Sequence, residues 1–281
     1  MTIYRVATNQ NINEIAKSAD KGDVIELEPG VHHIAPVLIS RANNEFNNGT
    51  AAEPITLRSR DPNNRAILSH QWPNGAATYQ MVLQDMSHWI VEDIDIADFR
   101  GAGVVVWAYY EDSVGCKLRN INVRNQDNDT VSVSHYSGVG FHAVLVGSTL
   151  SDSGSATATL RDFHAYRVNL HNTDSGEPSS ADWSNYSENF TVYGRVDGAL
   201  IEECSIKQSG IGIAFNCLGA GFMGAYIWNP GQPKNVTFRR CSVIDFLTAG
   251  PLAGNAFYAD RAGEGCSWEE NFANYVMSFL A

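Results

Sequence analysis

Cations are scarce in this 281-residue chain: 19 lysines and arginines stand against 31 aspartates and glutamates, a formal charge of −12. General nucleic-acid binding calls for basic clusters, and this balance excludes it. An anionic substrate meets the same obstacle and would need a local cationic patch or a bound cation. Long apolar runs are missing too. None approaches the roughly 20 residues that cross a bilayer, so no membrane partner is expected. Neither the five cysteines nor the eight histidines have metal-type spacing. Met1 is not followed by a signal peptide, which suggests a mature chain with an added start codon, or export or assembly by another route.

What is present is a core and a repeat. Hydrophobic residues make up 44% of the chain and charged residues 18%, enough to bury a substantial interior. A short pattern recurs: an apolar anchor, two mostly polar residues, a small or apolar residue, one of variable type, then another apolar or small residue. Val91-Glu92-Asp93-Ile94-Asp95-Ile96 fits it, as do Leu118–Val123, Leu160–Ala165, Ile201–Ile206, Phe238–Val243 and, more weakly, Trp268–Ala273. Short strands repeating at variable spacing predict a solenoid whose coils carry loops of different length. The expected fold is all-β: a single-domain right-handed parallel β-helix over residues 1–281.

Apolar positions Ile12, Ile15, Ala16 and Ala19 predict a capping helix over residues 11–20. Second strands are expected at Val104–Trp107, His142–Val146, Phe190–Tyr193, Ala225–Trp228 and Ala256–Tyr258, with Gly101-Ala102-Gly103 as a turn between strands. Cys204 and Cys241 share one repeat position, so they should stack as buried thiols in neighbouring coils. Polar segments 125–139, 147–158 and 172–188 are too long for turns, and are expected as loops decorating one side, where a rigid scaffold builds its working surface.

Residues 6–70 carry a resemblance. The run Gly22-Asp23-x-Ile25-x-Leu27-x-x-Gly30-Val31, followed by Gly49-Thr50-x-x-x-Pro54-Ile55-Thr56-Leu57, is similar to the opening of pectate-lyase-like parallel β-helices. The alginate lyase and chondroitinase B group is the most similar. That resemblance implies a uronate-cleaving lyase in which acidic residues hold Ca²⁺ on the sugar carboxylate, a lysine is the base and an arginine assists. Carried over by order, Lys207 is the base, Arg239 assists, and Glu202 and Glu203 sit near the calcium. The strict motif of the group is absent. Calcium would also answer the charge problem.

The same charges have a second reading, as a solvated ladder through Glu92, Arg119, Arg161, Glu202, Arg239 and Glu269 in which opposite signs often adjoin. Other candidates lie near residue 180. Asp174 and Asp182 could serve a glycoside hydrolase as acid and base, and His171 stands beside Asp174. Trp183 and Tyr186, with Trp107, Tyr109, Tyr110, Tyr226 and Trp228, offer faces on which sugar rings stack. The substrate-binding set is therefore Trp183, Tyr186, His171 and Asp174. The favoured function is β-elimination of an acidic polysaccharide. The alternatives are a non-catalytic glycan-gripping β-helix, such as an adhesin or virion-fibre segment, and a hydrolase using Asp174 and Asp182. The expected location is extracellular or virion-associated.

Overall fold

The computed structural model describes residues 1–33, 36–41, 45–69, 79–99, 102–126, 142–148, 158–171, 187–207, 212–218, 231–248, 257–260 and 263–277. Every strand pairing is parallel and joins one coil to the next. Three sheets result. Sheet A runs through Val24–Leu27, Ile55–Ser59, Trp89–Glu92, Lys117–Arg119, Leu160–Tyr166, Val196–Glu202, Lys234–Arg239 and Ser267–Glu269, with Ile3–Val6 at its edge. Sheet B includes Gly30–His32, Asp95–Phe99, Asn122–Gln126, Asn169–His171, Ser205–Lys207 and Ser242–Thr248. Sheet C includes Val37–Ser40, Tyr79–Gln84, Ala102–Ala108, His142–Ser148, Ser187–Tyr193, Gly212–Leu218 and Phe257–Asp260. The fold is the expected right-handed parallel β-helix.

Alternation along each strand builds the interior, because successive side chains point to opposite faces. Ile25, Leu57, Val91, Leu118, Ala165, Ile201 and Phe238 form one inward stack in sheet A. Leu68, Ile96, Val123, Leu170, Ile206 and Val243 form another in sheet B, headed by His32, which is fully buried. The helix is shorter than expected, Ile12–Ala16, with Asn11 as its cap. Its Ile12 and Ala16 join the core, and Asn13 bonds Leu38 N and Pro36 O at the first strand of sheet C.

The repeated hexapeptide straddles a corner. Sheet A ends at its second residue and sheet B resumes at its fifth, leaving a two-residue corner such as Asp93-Ile94 or Glu203-Cys204. The first corner residue is left-handed in each of these coils: Asp93, Asn120, Arg167, Glu203, Arg240 and Glu270 have φ between 50° and 57°. That conformation is unfavourable for residues with a Cβ. It is held because the corner N–H still reaches the next coil, as in Glu203 N to Arg239 O at 3.0 Å and Arg240 N to Glu269 O at 2.9 Å.

The corners correct the register of one copy. Leu160–Ala165 is not a repeat unit, since Leu160 pairs with Val196 and Ala165 is the residue that pairs with Leu118 and Ile201. The true copy is Ala165-Tyr166-Arg167-Val168-Asn169-Leu170, whose small anchor hides it beside the bulkier Leu160. Ala102 and Gly103 belong to a strand rather than a turn. His32 is the last residue of its strand. Strand Gly212–Leu218 fills the sheet C place expected at Ala225–Trp228, and 225–228 lie outside the described residues. Most of the three expected loops lies outside them too; only 125–126, 147–148, 158 and 187–188 are described.

The opening run that carries the family resemblance is structural. Asp23 accepts from Thr2 N and Asp20 N, tying the first coil together. Gly49 passes so close to the next coil that a Cβ would lie 2.5 Å from His88 O.

Candidate functional site

Corrected register sorts the candidate residues into two groups. The first lies along the outer edge of sheet A, where one row reads Arg5, Glu26, Arg58, Glu92, Arg119, Tyr166, Glu202, Arg239, Glu269. Signs alternate throughout except at Tyr166. Arg161, assigned to this row from sequence, is replaced by Tyr166 and instead pairs with Asp112 and Asp197.

Glu202 and Arg239 are bound within this row. Oε1 of Glu202 accepts from Arg239 Nε at 3.1 Å and Nη2 at 2.7 Å, and also from Arg240. Glu203 accepts from Arg167 at 3.0 Å and meets Arg240 at 3.4 Å. Burial pushes Glu202 up, but the Arg239 hydrogen bonds and the two guanidinium charges outweigh it and hold the carboxyl below its ordinary value. The Arg167 hydrogen bond does the same for Glu203. A hard dication needs several free oxygen ligands, whereas these two carboxylates already serve three arginines. Glu202 and Glu203 as arranged do not fit a calcium ion. Among the described residues, no group of three or more His, Cys, Asp or Glu is placed to hold a metal.

The second group lies on the outer face of sheet B. Lys207 is the direct cross-strand partner of His171, and His171 of Arg124. Three basic side chains therefore stand on successive coils, roughly 4.8 Å apart. Their neighbours Val123, Leu170 and Ile206 point inward and are buried, which forces these three outward. His171 and Lys207 are exposed and Arg124 is half-buried. Each closes or nearly closes its strand, and the chain then runs into 127–141, 172–186 and 208–211, outside the described residues.

The sequence candidates thus separate. Lys207 and His171 come together, while Arg239, Glu202 and Glu203 lie across the corner in the other row. Asp174, Asp182, Trp183 and Tyr186 lie outside the described residues, as do Tyr226 and Trp228. Trp107 is half-buried on sheet C, 6.5 Å from both Tyr79 and Tyr109. Arg124 was missed from sequence. Its signal is the matched asparagines Asn122 and Asn169, whose side chains bond at 3.3 Å and set Arg124 level with His171.

No protein-family model matches the chain, and no curated protein does. Among solved structures, an alginate lyase from Paenibacillus sp. str. FPU-7 superposes with a TM-score of 0.51 at 15% identity, covering 98% of each chain. A lacto-N-biosidase from Eubacterium ramulus gives 0.41 at 11% identity, over 98% of this chain and 68% of that one. A pectate lyase gives 0.38 at 10%, over 94% and 78%. The alginate lyase likeness spans both chains almost end to end, and what it shows is a shared architecture: this chain is similar in fold to a parallel β-helix lyase.

Proposed function

We propose that this is a carbohydrate-active β-helix protein that binds an acidic polysaccharide along the outer face of sheet B and cleaves it by β-elimination. The observation that carries the reading is the Arg124–His171–Lys207 row, a run of basic side chains in a chain of net charge −12. A uronate carboxylate set against Arg124 is neutralised, which acidifies the neighbouring C5–H. Lys207, in its uncharged form, takes that proton. The electron pair forms the C4–C5 double bond, the C4–O bond breaks, and His171 in its protonated form supplies a proton to the departing oxygen. Arginine assistance passes from Arg239, which is engaged with Glu202, to Arg124. Calcium has no part at Glu202 and Glu203. Such a polymer substrate fits an extracellular or virion-associated setting.

The test is a screen of alginate, pectate, chondroitin and bacterial capsule glycans, following absorbance of the unsaturated product separately from reducing ends. Absorbance rising with reducing ends is the expected result. Reducing ends without absorbance would assign hydrolysis instead, and binding without either would leave a glycan-gripping protein.

A further inference from the structure

Alternation of charge along sheet A has one break, and the cations around it are unlike the rest of the row. Arg5, Arg58 and Arg239 each have a glutamate partner, at 4.0, 2.8 and 2.7 Å. Arg119 has none among the described residues. On one side Glu92 is taken by Arg58 at 3.8 Å. On the other stands Tyr166, neutral and covered by the Arg167 guanidinium, 4.7 Å from its ring centre.

Lys117 lies two residues before Arg119 on the same strand and face, roughly 7 Å away at strand rise, and it too has no ion-pair partner among the described residues. Its cross-strand neighbour is His164. That ring is only 28% exposed, and its buried Nε2 makes no hydrogen bond but faces the Glu202 carboxylate, with Oε2 at 3.6 Å. Lys117, Arg119, His164 and Tyr166 thus form a two-by-two patch in which, among the described residues, two cations lack counter-charges, with the Glu202-facing imidazole at its edge.

We propose that this patch is an anion-binding site, taking one oxyanion group such as a sulfate or a carboxylate between Lys117 and Arg119, with His164 beside it as a reporter. A planar guanidinium and an ammonium on one face suit such a group. Glu202 lies on the next strand beyond His164, its Oε2 facing the imidazole and its Oε1 held by Arg239 and Arg240, so the two cations of the patch are left to the anion. The site is separate from the sheet B row and does not depend on it.

Sulfate alone is the first probe, followed by NMR at one fixed pH and constant ionic strength. The His164 imidazole signals, assigned by their loss in His164→Gln, should shift saturably. Lys117→Gln and Arg119→Gln should each weaken sulfate by about tenfold, the equivalent of one charge-assisted hydrogen bond. Circular dichroism confirms that each variant is folded, and Lys207→Ala should leave the response unchanged. A second arm replaces sulfate with a uronate oligosaccharide, and competition between the two identifies a shared site. No saturable shift with sulfate, or a shift that survives in the Lys117→Gln/Arg119→Gln double variant, would overturn the proposal.

Discussion

Arg239 directs two nitrogens at a single oxygen of Glu202, at 3.1 and 2.7 Å, while Arg240 approaches the same oxygen from the corner. One largely buried carboxylate therefore keeps two guanidinium groups together. Glu202→Gln should cost about 1–2 kcal/mol, since charge-assisted bonds are lost and two like charges are left side by side. Because the folded carboxyl titrates below its ordinary value, this stability is present above the unfolded value and lost as pH falls through the folded one. Urea melts should therefore show the gap between wild type and variant narrowing in acid.

His32 gives a second pH dependence. Burial pushes its imidazole down, only partly offset by the bond to Glu28 O at 2.9 Å. The unfolded chain protonates this residue before the folded chain does. Stability should be complete above the ordinary histidine value and fall as pH drops below it. In His32→Gln, the slope of urea midpoint against pH across that window should be shallower.

Gly147 sits between Trp107 and Tyr193 in sheet C, and a Cβ there would collide with the Tyr193 carbonyl oxygen. Neighbouring backbone cannot yield as a side chain can. Gly147→Ala should destabilise by about 1–3 kcal/mol, read as a lower thermal midpoint.

Lys207 separates chemistry from scaffold. Exposed at a strand end, it should be replaceable by alanine within about 0.5 kcal/mol of stability, while lyase turnover falls about 10²–10⁴-fold. His171→Ala should lower turnover as well. An active Lys207→Ala protein would remove it as the base.

The solenoid was legible because Val91, Leu118, Ile201 and Phe238 announce themselves as anchors. The three-sheet cross-section was not, since the hexapeptide bends at a residue such as Glu203 whose left-handed backbone leaves no mark in its side-chain chemistry. One small anchor, Ala165, displaced a whole coil of the reading. That slip put Arg161 in a row where Tyr166 stands and concealed Arg124 beside His171. Sequence order grouped Lys207 with Arg239, but three dimensions put a corner between them.

Those corners have one more implication. In the six coils from Asp93-Ile94 to Glu270-Asn271 the chain crosses from sheet A to sheet B in two residues, although an earlier coil takes six, 60–65, between Ile55–Ser59 and Ala66–Ser69, whereas the stretches leaving sheets B and C differ from coil to coil throughout. From Asp93 onward, length variation is therefore concentrated at two vertices of the triangular cross-section, and the third keeps one length. This makes the A–B corner a natural seam for recombination. Coils exchanged there between related solenoids would bring their own surface decorations without disturbing the inward stacks, so new binding faces could arise by shuffling rather than by point substitution.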